Sequence, residues 1–159
     1  MSTSNIPSVA AEDFYFVENG AAGVYSASFV LPAGATLLDV IVHGEALWTA
    51  DTSATLIVGD TTDDDGIFTA VNLKATDLLA GESISMNGLA GGKHGADVAL
   101  DYTSVATIGA QQVKRRETSP TAERTMSCKV TTVGTAGFAG RTRVLFVYAK
   151  PTNTKIITQ

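Results

Sequence analysis

The sequence is poor in the features that cross-link a chain or anchor it in a membrane. Its one cysteine, Cys128, cannot form a disulfide within the chain, and the alternating apolar pattern around it favours simple core packing. The longest apolar run, from Val144 to Ala149, is far too short to cross a bilayer. The first residues show neither the positive nor the apolar segment of a secretory signal. We therefore expect a soluble protein made in a cytosol, with no membrane partner.

Charge is also scarce, and its sign changes along the chain. Charged residues make up 17% of the sequence and the net charge is −5, which argues against a protein that coats nucleic acid. Residues 1–113 carry 14 acidic and 2 basic side chains, whereas residues 114–159 carry 2 acidic and 9 basic ones. Because both parts contain strand-like segments, we do not interpret the split as a domain boundary. We interpret it as surface charge for assembly, with the basic part of one copy facing the acidic part of the next in a head-to-tail arrangement.

What the sequence has in abundance is alternation of apolar and polar residues, which is typical of β-strands buried on one face. Turn residues such as Pro, Gly and Asp separate the segments. Residues 143–150 are apolar on both faces, which favours a central strand covered on both sides. Only residues 69–80 have a pattern compatible with a short helix. The alternating segments are 24–31, 36–48, 54–58, 83–86, 98–107, 126–131 and 143–150.

This series of short strands predicts an all-β protein with a single β-sandwich of jelly-roll type. We expect an extended N-terminal arm over residues 1–16, the sandwich domain over residues 17–150 and a short C-terminal tail over residues 151–159. A frayed end and an arm that orders on a neighbouring subunit both explain the N-terminal segment. The inward-facing residues expected in the 36–48 segment are Leu38, Val40, Val42, Ala46 and Trp48. The arm's candidate partner contacts are Ile6, Val9, Phe14 and Phe16.

No combination of residues indicates catalysis. The two histidines, His43 and His94, have no defined nucleophile beside them, and no Gly-x-Ser-x-Gly turn is present. The glycine-rich stretch from Gly88 to Gly95 lacks both the spacing and the Ser or Thr of a phosphate-binding loop. We therefore predict that the protein is not an enzyme, and we expect no cofactor.

The densest group of carboxylates lies between Asp60 and Gly66. Calcium takes several hard oxygen ligands, so Asp60, Asp63 and Asp65 are candidate metal ligands. The segment does not fit an EF-hand loop, because the last ligand position would fall on Asn72 instead of a glutamate. A solvated acidic turn without a metal is the favoured interpretation.

Three consecutive basic residues, Lys114, Arg115 and Arg116, open the basic part of the chain. Proteins that bind single-stranded nucleic acid stack bases on aromatic side chains, and residues 103–137 contain none. We therefore expect no nucleic-acid partner. A solvated loop explains the three residues as well as contact with an acidic protein surface does, and on the second interpretation they are candidate partner contacts.

Three stretches, LPAGATLLDVIVHGEALW, ATLIVGDTTDDDGIFTAVNLKATDLLAGE and TAGFAGRTRVLFVYA, resemble virion proteins of tailed bacteriophages. More narrowly, over about residues 17–150, the chain is similar to small β-sandwich capsid decoration (cement) proteins and to related head or tail accessory proteins. The likeness lies in the composition of the strands, which are rich in Ala, Thr and Gly, and it assigns a function to no individual residue.

The resemblance implies a non-enzymatic protein, commonly a homotrimer, bound to the outer surface of a shell of major capsid protein. It also implies that the arms and loops clamp neighbouring capsid subunits together, and that the protein is made in the host cytoplasm. Two alternatives stay open. One is an accessory protein of the phage neck, tail or baseplate, and the other is a calcium-assisted carbohydrate-binding β-sandwich.

Overall fold

Eight β-strands and the turns between them make up the described part of the chain. The structure, a computed structural model, describes residues 8–88, 90–98, 118, 121–135 and 137–150. No helix occurs among these residues, so none of them forms a helix able to cross a membrane. The strands are β1 (Val9–Val17), β2 (Gly23–Leu31), β3 (Thr36–Ala46), β4 (Ser53–Asp60), β5 (Phe68–Asn72), β6 (Ser83–Ser85), β7 (Arg124–Val133) and β8 (Arg141–Ala149).

The strands form two four-stranded sheets with all neighbours antiparallel. One sheet has the order β1-β8-β3-β6 and the other the order β2-β7-β4-β5. Consecutive strands therefore cross from one sheet to the other, except for β4 and β5, which pair within the same sheet; this is the strand order of a jelly roll. The prediction of an all-β sandwich of jelly-roll type is confirmed.

The core lies between the two sheets and is richest in aromatic side chains near β1, β2 and β8. The ring of Phe146 is fully buried, with its centre 6.0 Å from that of Phe14 and 5.0 Å from that of Phe29. Cys128 is also fully buried, and burial raises the pKa of its thiol to about 12. The prediction that Cys128 fills the core is confirmed.

A β-bulge in β3 changes which leucine faces the core. The pairing of β3 with β8 shifts register between Leu37 and Asp39, so one extra residue is inserted there. As a result Leu37 is 1% exposed, whereas Leu38 is only partly buried. The prediction that Leu38 points inward is wrong, because alternation is interrupted at the bulge; the predictions for Val40, Val42 and Trp48 are confirmed.

The bulge makes a testable distinction between two adjacent leucines. We expect Leu37→Ala to lower the free energy of unfolding by about 3 kcal/mol, because it leaves a cavity in the core, and Leu38→Ala by about 1 kcal/mol. Urea unfolding of the two purified variants measures both values. A larger loss for Leu38→Ala would mean that β3 has regular alternation and no bulge.

Three further expectations need correction. Residues 9–16, assigned to the arm, are extended but paired with β8 as part of β1, because Ala10, Phe14 and Phe16 complete the core over that strand. The 69–80 segment contains β5 and turns and no helix, since Phe68 and Val71 pack into the sandwich. Strand β8 is central in its sheet as predicted, but its outer face is not covered, because Arg143 is exposed there. The predicted strand at 98–107 and the tail at 151–159 lie outside the described residues, apart from Val98.

Candidate functional site

The predicted partner contacts of the N-terminal segment face opposite sides of β1. Val9 is 64% exposed and available to a partner. Phe16 is 6% exposed inside the core, and Phe14 packs against Phe29 and Phe146. The prediction that Phe14 and Phe16 anchor a neighbouring subunit is therefore corrected, because both rings face the interior of their own sandwich. Ile6, Lys114, Arg115 and Arg116 lie outside the described residues.

Five of the exposed apolar side chains that the structure describes lie on two edge strands, where those of β1 and those of β2 point away from opposite faces of the sandwich. Strands β1 and β2 are the edges of their two sheets on the same side, and a cleft of about 400 Å³ opens between them. Phe14 and Tyr25 line this cleft. The exposed apolar side chains on the two strands are Val9, Tyr15, Val17, Val24 and Val30.

The acidic segment after β4 is held in place by a buried ion pair. Asp60 is 1% exposed and accepts hydrogen bonds from the backbone N–H groups of Thr62 (2.7 Å) and Asp63 (2.9 Å). Arg124 Nε donates to its other oxygen at 2.5 Å, and an Arg124 amino group lies 3.7 Å from Asp97. Burial raises the pKa of Asp60, but these hydrogen bonds and the Arg124 charge outweigh burial and lower it. Asp60 is thus engaged as a structural anion.

The other two candidate metal ligands do come together. Oxygen atoms of Asp63, Asp64 and Asp65 all lie within 4.8 Å of one another, in a cluster that does not include Asp60. A hydrogen bond between the Asp63 and Asp65 carboxyl groups raises the pKa of Asp63, and Asp64 is paired with Lys129 at 2.5 Å. Pairing of Asp64 with Lys129 therefore offsets part of the repulsion among the three carboxylates.

Three basic residues of the second part of the chain have acidic partners within the same molecule. Arg124 pairs with Asp60, Lys129 with Asp64, and Arg143 with Asp13 at 2.6 Å. In each pair the acid comes from the acidic part of the sequence, before residue 114. The interpretation of the charge split as complementarity between copies is corrected for these residues, since jelly-roll pairing already brings the two parts together.

Sequence reasoning missed a buried carboxylate at the end of β1. Glu18 is 1% exposed and accepts hydrogen bonds from the Thr49 hydroxyl (2.8 Å) and from the backbone N–H groups of Thr49 (3.0 Å), Gly137 (3.1 Å) and Gly140 (3.0 Å). Burial raises the pKa of Glu18, but these hydrogen bonds outweigh it and lower the pKa to about 2. The carboxylate therefore ties β1 to the β3–β4 and β7–β8 loops. The sequence does carry a signal for this position, because side chains of a β-strand alternate between its two faces. Glu18 lies two residues after Phe16 and four after Phe14, so it falls on the same inward face.

No protein-family model matches the chain, and no curated protein matches it. Three solved structures do. One is the acid-stable capsid of Helicobacter pylori bacteriophage KHP30, with a TM-score of 0.53 and 13% identity over 92% of each chain. Another is the capsid of Ralstonia phage GP4, with a TM-score of 0.50 and 16% identity over 96% of this chain and 91% of that one. The capsid asymmetric unit of cyanophage Pam1 also matches, at a TM-score of 0.46 and 17% identity over 91% and 85%.

Chains from bacteriophage capsids share this fold. The KHP30 match covers the same large fraction of both chains, so that capsid chain is similar in length to this one and consists of little beyond the shared fold. At identities of 13% and 16% the likeness concerns the fold, and no side chain of this protein receives a role from it.

Proposed function

We propose that this chain is a bacteriophage capsid decoration (cement) protein. It is a non-enzymatic virion component that binds the outer surface of a shell of major capsid protein. The observation that carries the proposal is the match of the whole jelly roll, over at least nine-tenths of both chains, to chains in the KHP30 and GP4 capsids. The composition of the three strand-rich stretches resembles that of decoration proteins and supports the same role.

The charge of the chain supports a position outside the shell. A net charge of −5 would be repelled by nucleic acid packed at high density inside a capsid. Three of the four basic residues on β7 and β8 are paired with acids, which further reduces attraction to phosphate groups. The outer surface carries no such penalty.

Decoration stabilises a shell by mass action. A protein that binds assembled subunits but not dissociated ones shifts the equilibrium toward the shell by an amount that grows with its concentration. We propose that the chain acts as a homotrimer, and that its capsid contacts include Ile6, the exposed Val9 and the basic residues 114–116.

The test uses shells of the major capsid protein from the same phage, assembled without this chain. We expect the purified chain to bind them, to raise the temperature at which they disrupt, and to appear as density on their outer surface in electron microscopy. No binding, or density on the inner surface, would overturn the proposal. Location on the neck, tail or baseplate of the virion would favour the accessory-protein alternative, and glycan binding that is lost with EDTA would favour the carbohydrate-binding one.

Variants then locate the contacts on the shell. Deleting residues 1–7 removes Ile6 but leaves β1 intact, and we expect lower shell occupancy. Replacing Lys114, Arg115 and Arg116 with alanine should lower occupancy most at low salt, where charge attraction is least screened. The charge-conserving pair Arg115→Lys and Arg116→Lys is the matched control. Equal occupancy for all variants would remove these residues from the proposed interface.

A further inference from the structure

The four sheet edges of the sandwich are protected to very different degrees. An exposed edge strand presents unpaired N–H and C=O groups, and natural proteins guard it by making it short or by placing charges on it. Edges β5 and β6 are only 5 and 3 residues long. Edge β1 is 9 residues long but carries Glu12 on its inward side and Asp13 on its outward side. Short length at β5 and β6, and charge at β1, therefore protect these three edges from pairing with another strand.

Strand β2 has neither form of protection. It is 9 residues long, from Gly23 to Leu31, and contains no charged residue and no proline. Nothing in the described part of the chain pairs with its outer edge. Val24 and Val30 are 62% and 50% exposed, and Tyr25 is only partly buried beside the cleft. An edge of this kind is suited to continue into another sheet.

The sequence of β2 is symmetric about its central residue, Ala27. Moving outward from Ala27 in both directions, serine matches serine, an aromatic residue matches an aromatic residue, and valine matches valine. In an antiparallel pair of two identical β2 strands with Ala27 opposite Ala27, these matched residues lie directly opposite one another, which is the arrangement that stabilises cross-strand pairs. The matched residues are Ser26 with Ser28, Tyr25 with Phe29, and Val24 with Val30.

We propose that β2 pairs antiparallel with β2 of a second copy of this chain, centred on Ala27, so that two sandwiches share a continuous eight-stranded sheet. The contact is isologous, because the same edge serves both partners. No charges oppose one another along the two β2 strands, so these strands do not repel each other.

The pairing brings together one flank of each copy and follows β2 over about 30 Å, the length of nine extended residues. The cleft lined by Tyr25 and Ala27 lies along this flank and would be covered by the second copy. The pairing does not depend on the proposed role in decoration, and within a trimeric assembly it would join trimers in pairs.

Cysteine substitutions on the exposed face of β2 test the pairing and its register together. In the proposed register Ser26 of one copy lies opposite Ser28 of the other, and the two Ser26 residues are too far apart for a disulfide. We expect a mixture of Ser26→Cys chains and Ser28→Cys chains to form a covalent dimer under mild oxidation, while each variant alone does not. Ser127→Cys, on the same face but on β7, is the matched control and should not cross-link. The native Cys128 does not compete, because it is fully buried.

A charge swap tests the same edge without oxidation. Analytical ultracentrifugation of the unmodified chain should show an even number of copies. Ser26→Lys with Ser28→Lys should halve that number, as should the corresponding double glutamate variant, and mixing the two variants should restore it. Ser127→Lys should leave it unchanged. Three results would overturn the proposal: cross-linking of either cysteine variant alone, equal cross-linking by Ser127→Cys, or an unmodified chain that is a monomer. A monomer is expected if another segment of the same chain covers β2. Failure of capsid binding would leave these results unaffected.

Discussion

Replacing Glu18 with glutamine is expected to lower the free energy of unfolding by about 3 kcal/mol at neutral pH. All the groups around the carboxylate are donors: the Thr49 hydroxyl and the backbone N–H groups of Thr49, Gly137 and Gly140. Glutamine keeps one acceptor oxygen and turns an NH₂ group toward N–H groups that then have no acceptor. Loops that are tied to β1 by the carboxylate lose that attachment as well.

The same substitution should remove a specific part of the pH dependence. The pKa of Glu18 in the folded chain is about 2, below its ordinary value of 4.5, so protonation favours the unfolded chain. The contribution of Glu18 is therefore complete above about pH 4.5 and is lost as the pH falls toward about 2. Asp60 and Asp13, whose pKa values are also lowered, add to the acid sensitivity of both proteins. Only the difference between the native chain and the variant reports on Glu18, and it should shrink toward zero over this range.

Urea unfolding at several pH values measures both effects. The matched control is Glu123→Gln, at an exposed position, which should change the free energy of unfolding by less than about 0.5 kcal/mol. A Glu18→Gln variant as stable as the native chain at neutral pH, or a stability difference that does not change between pH 4.5 and 2, would show that the carboxylate is not held by these donors.

The sequence alone was sufficient to predict the fold class, because side-chain alternation is a local property of each strand. The segment 24–31 has it plainly, and the structure places β2 there. In β1, alanine and two acids dilute the pattern, and the partner strand, β8, lies at the other end of the chain, so the sequence predicts an arm there. The bulge at Leu37 was missed for a related reason, since either register of β3 buries apolar residues.

The candidate sites were less predictable, because their residues meet only after folding. The neighbours of Asp60 in sequence make it a candidate metal ligand, whereas its partner in the structure, Arg124, is 64 positions away. The donors to Glu18 are equally remote, at Thr49 and in the β7–β8 loop. A jelly roll pairs segments across long crossovers, so the ionic contacts of such a chain depend on topology that a single sequence does not reveal.

Replacing Phe146 with alanine is expected to have the largest effect on stability, a loss of about 4 kcal/mol in the free energy of unfolding. The ring is fully buried on the central strand β8, and it packs against Phe14 of β1 and Phe29 of β2. Its removal leaves a cavity beneath both edge strands, which neighbours on rigid sheets cannot fill. For a chain of this length the melting temperature should fall by roughly 10 °C.

The matched control for this prediction is the same substitution at an exposed ring. Phe138 is 79% exposed, so Phe138→Ala should change the free energy of unfolding by less than about 0.5 kcal/mol. Phe146→Leu should fall between the two, because leucine fills part of the cavity. Since Phe29 of β2 rests on Phe146, amide hydrogen exchange in β2 should accelerate in Phe146→Ala more than exchange in β5, which lies at the opposite edge of that sheet. Equal stability of the two alanine variants would mean that the aromatic cluster does not hold the two sheets together at this flank.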